Sequence, residues 1–490
     1  MSRPRAKILM LGSFALCGCA AIGPDYTPPQ LDTATDWQAS NEDRFTADSP
    51  TSLANWWVSL NDPTLDGLID QALAANLDLA SAVQRVRQAA AVRGVSAGQR
   101  FPDLDATGSY SRDRQGSNGF PAMLEPAEFE SFALGMEFGW ELDVWGRVRR
   151  VVEAADADLQ ASIEDLRDVR AILIAEVANE YVLLRTAQAR FEVATRNIEI
   201  QRQSLELTRT RFDNGAAPRL DVAQAETNLA NTEAELPSIA TDIRDGLLRL
   251  AVLLGEQPTI LLEGTLGFGM IPGAPDLIAV GIPADIVRRR PDIRSAERQL
   301  AAEVASIGVE LGDLYPRFTL GGSLEFNSTN SGSLFDADSV GHGFGPSFSW
   351  NLFDGGRERS EVRAQEAAAD IALLGYRQTV LEALEEVESA MYGHARQIER
   401  AAALTRASDA ARASADLSKQ LYLEGRSDFQ NVLDSERELF TAEDNLILST
   451  AEVTTSYIAL QRALGGGWDP TSPQDDDPPE PSEDSGASSE

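Results

Sequence analysis

Histidine and cysteine are almost absent from this chain of 490 residues. It has two of each, so neither a metal site built from several histidines nor a disulfide framework is available. Basic residues are also scarce, with 42 Lys+Arg against 77 Asp+Glu and a formal net charge of −35. A field of that sign repels phosphate, which argues against a nucleic-acid-binding protein. The sequence also has no P-loop, nucleophile-elbow or HExxH motif, so it favours no enzyme class and implies no cofactor.

Long hydrophobic runs are lacking as well, and no stretch approaches the ~20 apolar residues that a membrane-spanning helix needs. Residues 1–18 combine a basic start with a short apolar run, which predicts a secretory signal peptide. Leu16 lies three places before Cys19 and Gly18 directly before it, a pattern that resembles the lipobox of bacterial lipoproteins. We therefore expect Cys19 to be the lipidated N-terminus, and Ala20 after it favours the outer membrane. The alternative is a plain signal peptide with incidental cysteines.

The chain contains an internal duplication. Identities between its halves occur in order, first at a spacing of 214 residues and then at a spacing of 210. They include Asp78, Gly94 and Pro102 with Asp292, Gly308 and Pro316, then Trp140, Gly215, Glu226 and Gly255 with Trp350, Gly425, Glu436 and Gly465. The predicted order is a signal peptide (1–18), a lipidated extended segment (19–64), a first repeat (65–264), a linker (265–284), a second repeat (285–467) and an acidic disordered tail (468–490).

Each repeat has two segments in which apolar and polar residues alternate strictly. They predict strands at about 103–112 and 131–143 in the first repeat, and at about 316–327 and 343–353 in the second. Such alternation over about ten residues is typical of transmembrane β-strands, although a half-buried sheet of a soluble domain would explain it equally well. Four strands cannot close a barrel, so the membrane interpretation requires an oligomer, with 8 strands from two copies or 12 from three.

Long helices are predicted around these strands. Helical spacing of leucines starts at Leu65 and runs to about Arg100, and residues 147–214 contain neither Gly nor Pro. The apolar positions of the long helices follow a coiled-coil spacing. Gly215 and Gly425 suit helix C-terminal caps, after which another amphipathic helix returns. The predicted fold is therefore mostly α, with two long helical hairpins per chain and four β-strands.

The two histidines are not expected to bind ligands. His342 lies in a glycine-rich stretch, near a predicted strand start, and we expect it to face the lumen or a loop. His394 replaces an apolar heptad neighbour, which favours a packed or surface residue.

Several stretches resemble one known family. They are Gly18-Cys19, Gly23-Pro-Asp-Tyr26, Trp140-Glu-Leu-Asp-Val-Trp-Gly-Arg147, Arg289-Arg-Pro-Asp-Ile-Arg294 and Leu352-Phe-Asp-Gly-Gly356. The sequence resembles the outer-membrane-factor family, the TolC-like ducts of efflux pumps and type I secretion, from residue 18 to about 465. It is most similar to the lipoprotein branch that serves RND multidrug pumps. The arginine-rich stretch is the most family-specific of these.

The resemblance implies a homotrimer with a 12-stranded outer-membrane β-barrel and a periplasmic α-barrel. It also implies two partners, a periplasmic adaptor protein and an inner-membrane RND-type transporter. The implied function is a passive exit duct for drugs or other small molecules. The alternatives are the duct of a type I protein secretion system or, from a different class, an elongated coiled-coil adhesin or stalk. The latter would not need strands with a lipid-facing side.

The resemblance places the gate at the periplasmic hairpin tips. By position relative to the turns, Asp221, Tyr422 and Asp434 match the tip network and the lumen-facing carboxylates. Three copies of one Asp around a three-fold axis would favour cations. The alternative interpretation is that Asp221 and Asp434 are ordinary helix-surface carboxylates, and Phe212 and Asn431 depart from the family's pattern. The expected docking residues for the adaptor are Gly215, Ala216, Pro218, Gly425, Arg426 and Ser427.

Overall fold

The computed structural model describes residues 21–30, 34–38, 44–46, 53–114, 128–258 and 266–469. The predicted signal peptide, the lipidation of Cys19 and the acidic tail after Asp469 lie outside these residues. The chain divides into two units. The strand unit comprises Met1–Gln30, Arg87–Ser162 and Ser295–Arg377, and the hairpin unit comprises Leu31–Val86, Ile163–Arg294 and Gln378–Glu490.

The described residues form eight α-helices and six strands. The helices are α1 (Pro63–Ala75), α2 (Leu77–Gly98), α3 (Arg147–Asp213), α4 (Arg219–Leu253), α5 (Pro283–Arg289), α6 (Pro291–Asp313), α7 (Arg357–Leu423) and α8 (Phe429–Ala463). The strands are β1 (Phe45–Thr46), β2 (Asp103–Arg114), β3 (Glu128–Leu142), β4 (Ile278–Ala279), β5 (Arg317–Ser328) and β6 (Val340–Ser349). None of the helices that the structure describes is both long and apolar enough to cross a bilayer.

The strand unit is built around an antiparallel sheet of order β2-β3-β5-β6. Directly opposite residues of an antiparallel pair share a face, so the register assigns every side chain to one side of the sheet. One face carries most of the large apolar residues, among them Leu104, Met136, Phe138, Leu324 and Phe344. The other face is rich in glycine, serine, threonine and carboxylates. The alternation seen in the sequence is therefore a real two-faced sheet.

The last strand is shorter than the alternation predicts. The prediction of a strand over 343–353 is wrong at both ends, because β6 spans Val340–Ser349 and excludes Trp350 and Leu352. Ser349 is opposite Arg317, the first residue of β5, and Pro316 before it has no N–H to donate. The position of His342 also differs from the prediction. It lies within β6 opposite Leu324, which puts it on the apolar face.

The first predicted helical segment is broken at Asn76. The spacing of the leucines predicts a helical segment from Leu65 to about Arg100, and the structure divides it into two helices, because Asn76 has an extended backbone between α1 and α2. Its side-chain oxygen accepts hydrogen bonds from the N–H groups of Asp78 and Leu79, which caps the start of α2. Its amide nitrogen donates to the carbonyl of Leu253 at 2.8 Å. The break therefore ties α1 and α2 to the end of α4.

The long helices recur with matching lengths. Helices α3 and α7 have 67 residues each, and α4 and α8 have 35 each. Their first residues are 210 positions apart, the same spacing as the sequence identities. The glycines at their ends recur in the same way, because Gly255 and Gly465 follow α4 and α8 with φ values of +70° and +73°.

A buried tryptophan near the C-terminal end of the described chain packs against two arginines of the hairpin unit. Trp468 is 0% exposed, and the guanidinium groups of Arg167 and Arg294 lie 4.8 Å and 5.2 Å from the centroid of its ring. Both arginines also form ion pairs with Glu164 at 2.7 Å, and that carboxylate is itself buried. Burial of a paired carboxylate is tolerable only while its partners stay in place. Trp468 therefore packs against both arginine partners of Glu164.

Replacing Trp468 with alanine should lower the free energy of unfolding by about 3–5 kcal/mol, because it removes a large side chain from a fully packed site. Thermal unfolding followed by circular dichroism measures the change. Trp350, which is 52% exposed, is the matched control, and Trp350→Ala should have a much smaller effect. Equal effects of the two substitutions would contradict this account of Trp468.

Candidate functional site

The candidate site consists of the two turns that end α3 and α7. Gly215 and Gly425 have φ values of +74° and +70°, a conformation that glycine adopts without a steric cost. The N–H of Gly215 donates to Phe212 and that of Ala216 to Arg211, and the N–H groups of Gly425 and Arg426 make the same two bonds to Tyr422 and Leu421. These are the hydrogen bonds of a Schellman cap. The predicted C-caps are confirmed at both turns.

The predicted docking residues lie in these turns. Gly215, Ala216 and Pro218 are exposed in the first turn, as are Gly425 and Arg426 in the second. Ser427 is half-buried, and its hydroxyl accepts a hydrogen bond from the side chain of Asn431 at 2.9 Å. Large apolar side chains next to the turns are also exposed, with Leu220 at 64% and Leu423 at 54%. Exposed apolar groups on two rigid turns form a surface suited to another protein.

An apolar cluster joins the two hairpins just behind the turns, and we call it the tip cluster. Its members come from α3, α4, α7 and α8, and they are Leu205, Ala225, Tyr422, Phe429, Val432 and Leu433. Tyr422 and Phe429 face each other with ring centroids 5.2 Å apart. The two turns are therefore held together by side chains that lie far apart in the sequence.

Tyr422 lies inside the tip cluster. It is 6% exposed, and within the described residues its hydroxyl has no hydrogen-bond partner. The guanidinium of Arg211 stacks on its ring at 4.4 Å and donates to its carbonyl oxygen at 2.6 Å. Sequence reasoning missed Arg211, because nothing in its own segment indicates a partner 211 positions away. Arg211 links the end of α3 to the end of α7.

The two predicted carboxylates have different surroundings. Asp221 lies in the first turn of α4 and is half-buried, and burial followed by repulsion from Asp428 raises its pKa. Asp428, which precedes α8, is a second tip residue that sequence reasoning missed. Asp434 is exposed on α8, where it accepts a hydrogen bond from Gln430 at 2.9 Å and lies 3.8 Å from Arg437. The structure thus couples Asp221 to the other turn, while Asp434 has partners on its own helix.

The model of one protein family matches this chain twice. The model for outer membrane efflux proteins matches residues 68–256 and 282–466. The chain belongs to the outer membrane efflux protein family. Among its relatives, Nodulation protein T of Rhizobium leguminosarum bv. trifolii is 31% identical over 94% of this chain and 96% of that protein. The toluene efflux pump outer membrane protein TtgI of Pseudomonas putida is also 31% identical, over 95% of this chain and 98% of that protein.

Solved structures of outer-membrane channels have the same fold. The outer-membrane channel OprN superimposes with a TM-score of 0.84 at 37% identity, over 91% of this chain and 99% of that chain. The family membership predicted from the sequence is therefore confirmed, as is the outer membrane as the location. The roles of Asp221, Tyr422 and Asp434 stay predictions.

Replacing Arg211 with alanine should lower the free energy of unfolding of the tips by about 1–2 kcal/mol, because a stacked cation and a hydrogen bond are both lost. Hydrogen exchange of the ends of α3 and α7 measures the local effect. Arg202 lies on the same helix and forms an exposed pair with Glu233 at 2.8 Å, so Arg202→Ala is the control. If exchange at the two turns is unchanged in Arg211→Ala, this residue does not hold the tips together.

Proposed function

We propose that this outer-membrane efflux protein is a homotrimeric exit duct that passively conducts small molecules out of the cell. A periplasmic adaptor and an inner-membrane RND-type transporter would deliver the cargo to it. The observation that carries the proposal is the sheet β2-β3-β5-β6, which has one apolar and one polar face and two free edges. Each property supports one part of the proposal.

The free edges support an oligomeric barrel. Within the described part of the chain, β2 and β6 each pair with one strand only, so each leaves a row of backbone N–H and C=O groups unpaired. In a bilayer such groups must be paired within the protein, so a membrane sheet has to close into a barrel. Four strands are too few, since the smallest barrels have about eight. Three copies of the chain would supply 12 strands, with β2 of one copy paired to β6 of the next.

The two faces support the orientation of that barrel. The apolar face would contact lipid, and its aromatic residues suit the membrane interfaces. On the polar face, no other side chain or strand of the described structure comes within 4 Å of where a side chain at Gly139 or Gly345 would begin. Asp105 and Glu137 stand directly opposite each other on this face, and Glu325 lies nearby on β5. Small residues and carboxylates of this kind leave room for water and favour cations in a lumen.

The N-terminal segment supports a lipid anchor at Cys19. Ala21 packs against Gly146, and the N–H of Ile22 donates to the carbonyl of Trp145 at 2.9 Å. The buried guanidinium of Arg150 donates to the carbonyl oxygen of Ile22 at 3.1 Å and forms an ion pair with Asp25 at 2.8 Å. These contacts hold the chain firmly two residues after Cys19. An acyl chain on Cys19 would then enter the membrane beside the strand unit.

The hairpin tips support a gated periplasmic entrance. In a trimeric α-barrel, Asp221, Asp434 and the newly found Asp428 would each be repeated three times around the axis. Arg211 and Tyr422 would keep the tips packed in the closed state. The exposed turns at 214–218 and 424–428 would dock the adaptor. The domain boundaries from the sequence fit this plan, with each repeat supplying one pair of strands and one hairpin.

The proposed cargo is small organic molecules. One relative is named as part of a toluene efflux pump, and another, OpmQ of Pseudomonas aeruginosa, as a pyoverdine export outer membrane protein. We extend only the general cargo class to this chain, since the inner-membrane transporter would select the substrate.

The purified full-length protein should form trimers and cation-selective pores in planar bilayers. Single-channel recording measures both conductance and reversal potential. Asp434→Ala should raise the conductance, because it removes one ring of side chains from the entrance. Asp409→Ala, an exposed carboxylate on α7 whose side chain is 71% accessible, is the control and should leave conductance unchanged. A monomer without pore activity would contradict the duct.

The anchor has its own test. Cys19→Ala should abolish incorporation of radiolabelled palmitate and leave the protein in the outer-membrane fraction, because the barrel alone would hold it there. Cys17→Ala should leave the labelling unchanged. Undiminished labelling of Cys19→Ala would show that the anchor is elsewhere.

A further inference from the structure

Two glutamates that correspond to each other in the two repeats lie in different environments. Glu226 on α4 and Glu436 on α8 are 210 positions apart and correspond to each other in the two repeats. Arg209 and Lys419 correspond at the same spacing. In the first repeat Arg209 and Glu226 form an ion pair at 2.6 Å, with both side chains half exposed. This is an ordinary surface pair between the helices of one hairpin.

In the second repeat the glutamate points inwards. Glu436 is 4% exposed, and one of its carboxyl oxygens accepts a hydrogen bond from the hydroxyl of Ser204 at 2.5 Å. The other oxygen is buried and has no hydrogen-bond partner among the described residues. An ionised carboxylate left in that state would carry a large desolvation cost. A neutral carboxylic acid fits the site better, because its second oxygen can carry the proton.

Only one opposite charge acts on Glu436 in the described structure, and it comes from α7. Burial raises the pKa of Glu436, while the hydrogen bond from Ser204 and the charge of Lys419 act in the opposite direction. Helix α3 contributes the uncharged Ser204, whose hydroxyl donates to Glu436. Arg437 follows Glu436 on α8, but its guanidinium donates to Asn228 at 2.9 Å and lies 3.8 Å from Asp434. Lys419, half-buried on α7, is therefore the available partner for an ionised Glu436.

We propose that Glu436 is a two-position pH switch beneath the tip cluster. In its protonated form it stays between α3 and α8 and accepts the hydrogen bond of Ser204. When it loses its proton to solvent, it turns outwards to Lys419, into the arrangement that Glu226 and Arg209 adopt permanently in the first repeat. The contact between α3 and α8 is then weakened.

The switch is placed to act on the proposed gate. Ser204 precedes Leu205, and Leu433 lies one helical turn before Glu436, and both leucines belong to the tip cluster. Below pH 4.5, the ordinary value for this carboxyl, the group is protonated in both the folded and the unfolded protein. As the pH rises through the higher pKa of the folded state, the folded protein loses stability. Mild acid thus tightens the tips, and alkaline conditions loosen them.

Thermal unfolding of the full-length trimer between pH 4.5 and 8.5 tests the switch. Glu436→Gln keeps the shape and the hydrogen bond but cannot ionise, so its melting temperature should exceed that of the wild type by about 2–4 °C at pH 8.5 and match it at pH 4.5. Glu226→Gln is the matched control and should not show this pH-dependent gain. Identical pH profiles for the wild type and Glu436→Gln, or the same gain in Glu226→Gln, would overturn the proposal.

Lys419→Met tests the outward position of the ionised Glu436 side chain. It should match the wild type at pH 4.5 and melt lower at pH 8.5, because the ionised Glu436 has lost its partner. Glu436→Gln combined with Lys419→Met should abolish that pH-dependent loss. A loss at pH 8.5 that persists in the double variant would overturn the outward position.

The effect on the gate rests on the proposed duct function. Conductance of the wild type in planar bilayers should rise between pH 5 and 8.5, and it should rise more than that of Glu436→Gln, in which Asp221 at the entrance is unchanged. A wild type that conducts with the same pH dependence as Glu436→Gln contradicts the switch alone. A wild type that does not conduct at any pH contradicts the duct itself.

Discussion

The free edges of the four-stranded sheet are the constraint on which the rest of the structure depends. Within the described residues, strands β2 and β6 have no pairing partner along their outer sides, and one face of the sheet carries most of its large apolar residues. Water could satisfy the edges but not the apolar face, and lipid could cover the face but not the edges. Closure with further copies of the chain, as in the proposed trimer, would satisfy both. In that trimer, the small residues and carboxylates of the other face would line a shared lumen.

Regular elements could be predicted from the sequence because their causes are local. Helices α3 and α8 follow from segments that contain neither glycine nor proline, whereas α4 continues through Pro237 and α7 through two glycines. The ends of α3 and α7 follow from Gly215 and Gly425 at positions that need a positive φ. The residues at which strand pairing ends are determined by contacts that are distant in the sequence. Alternation continues through Trp350, but β6 ends at Ser349 because its partner strand begins at Arg317 after a proline. The break at Asn76 likewise needs a carbonyl from Leu253, which the local pattern does not reveal.

The candidate site shows the same contrast between features with local causes and features that depend on long-range contacts. Turn positions could be read from the sequence and lie where they were expected. Arg211 and Tyr422, which join the turns, are 211 positions apart in the sequence, and the repulsion between Asp221 and Asp428 also acts between the two hairpins. Corresponding residues of the repeats do not have equal surroundings either. Glu226 is a solvent-exposed half of an ion pair, whereas Glu436 is buried beneath the tip cluster. The proposed pH switch would thus be present in only one copy of the duplicated unit.

Cysteine cross-linking between β2 and β6 tests the central claim that these edges pair between copies. The two cysteines of the natural chain, Cys17 and Cys19, both lie in the first 19 residues. Cross-links between cysteines introduced into the strands can therefore be distinguished from cross-links of the natural cysteines. Each variant carries one cysteine in β2 and one in β6 of the same chain. On oxidation in membranes, such variants should give covalent dimers and trimers on a denaturing gel. If every pair of positions gives monomers alone, the result contradicts the trimeric barrel.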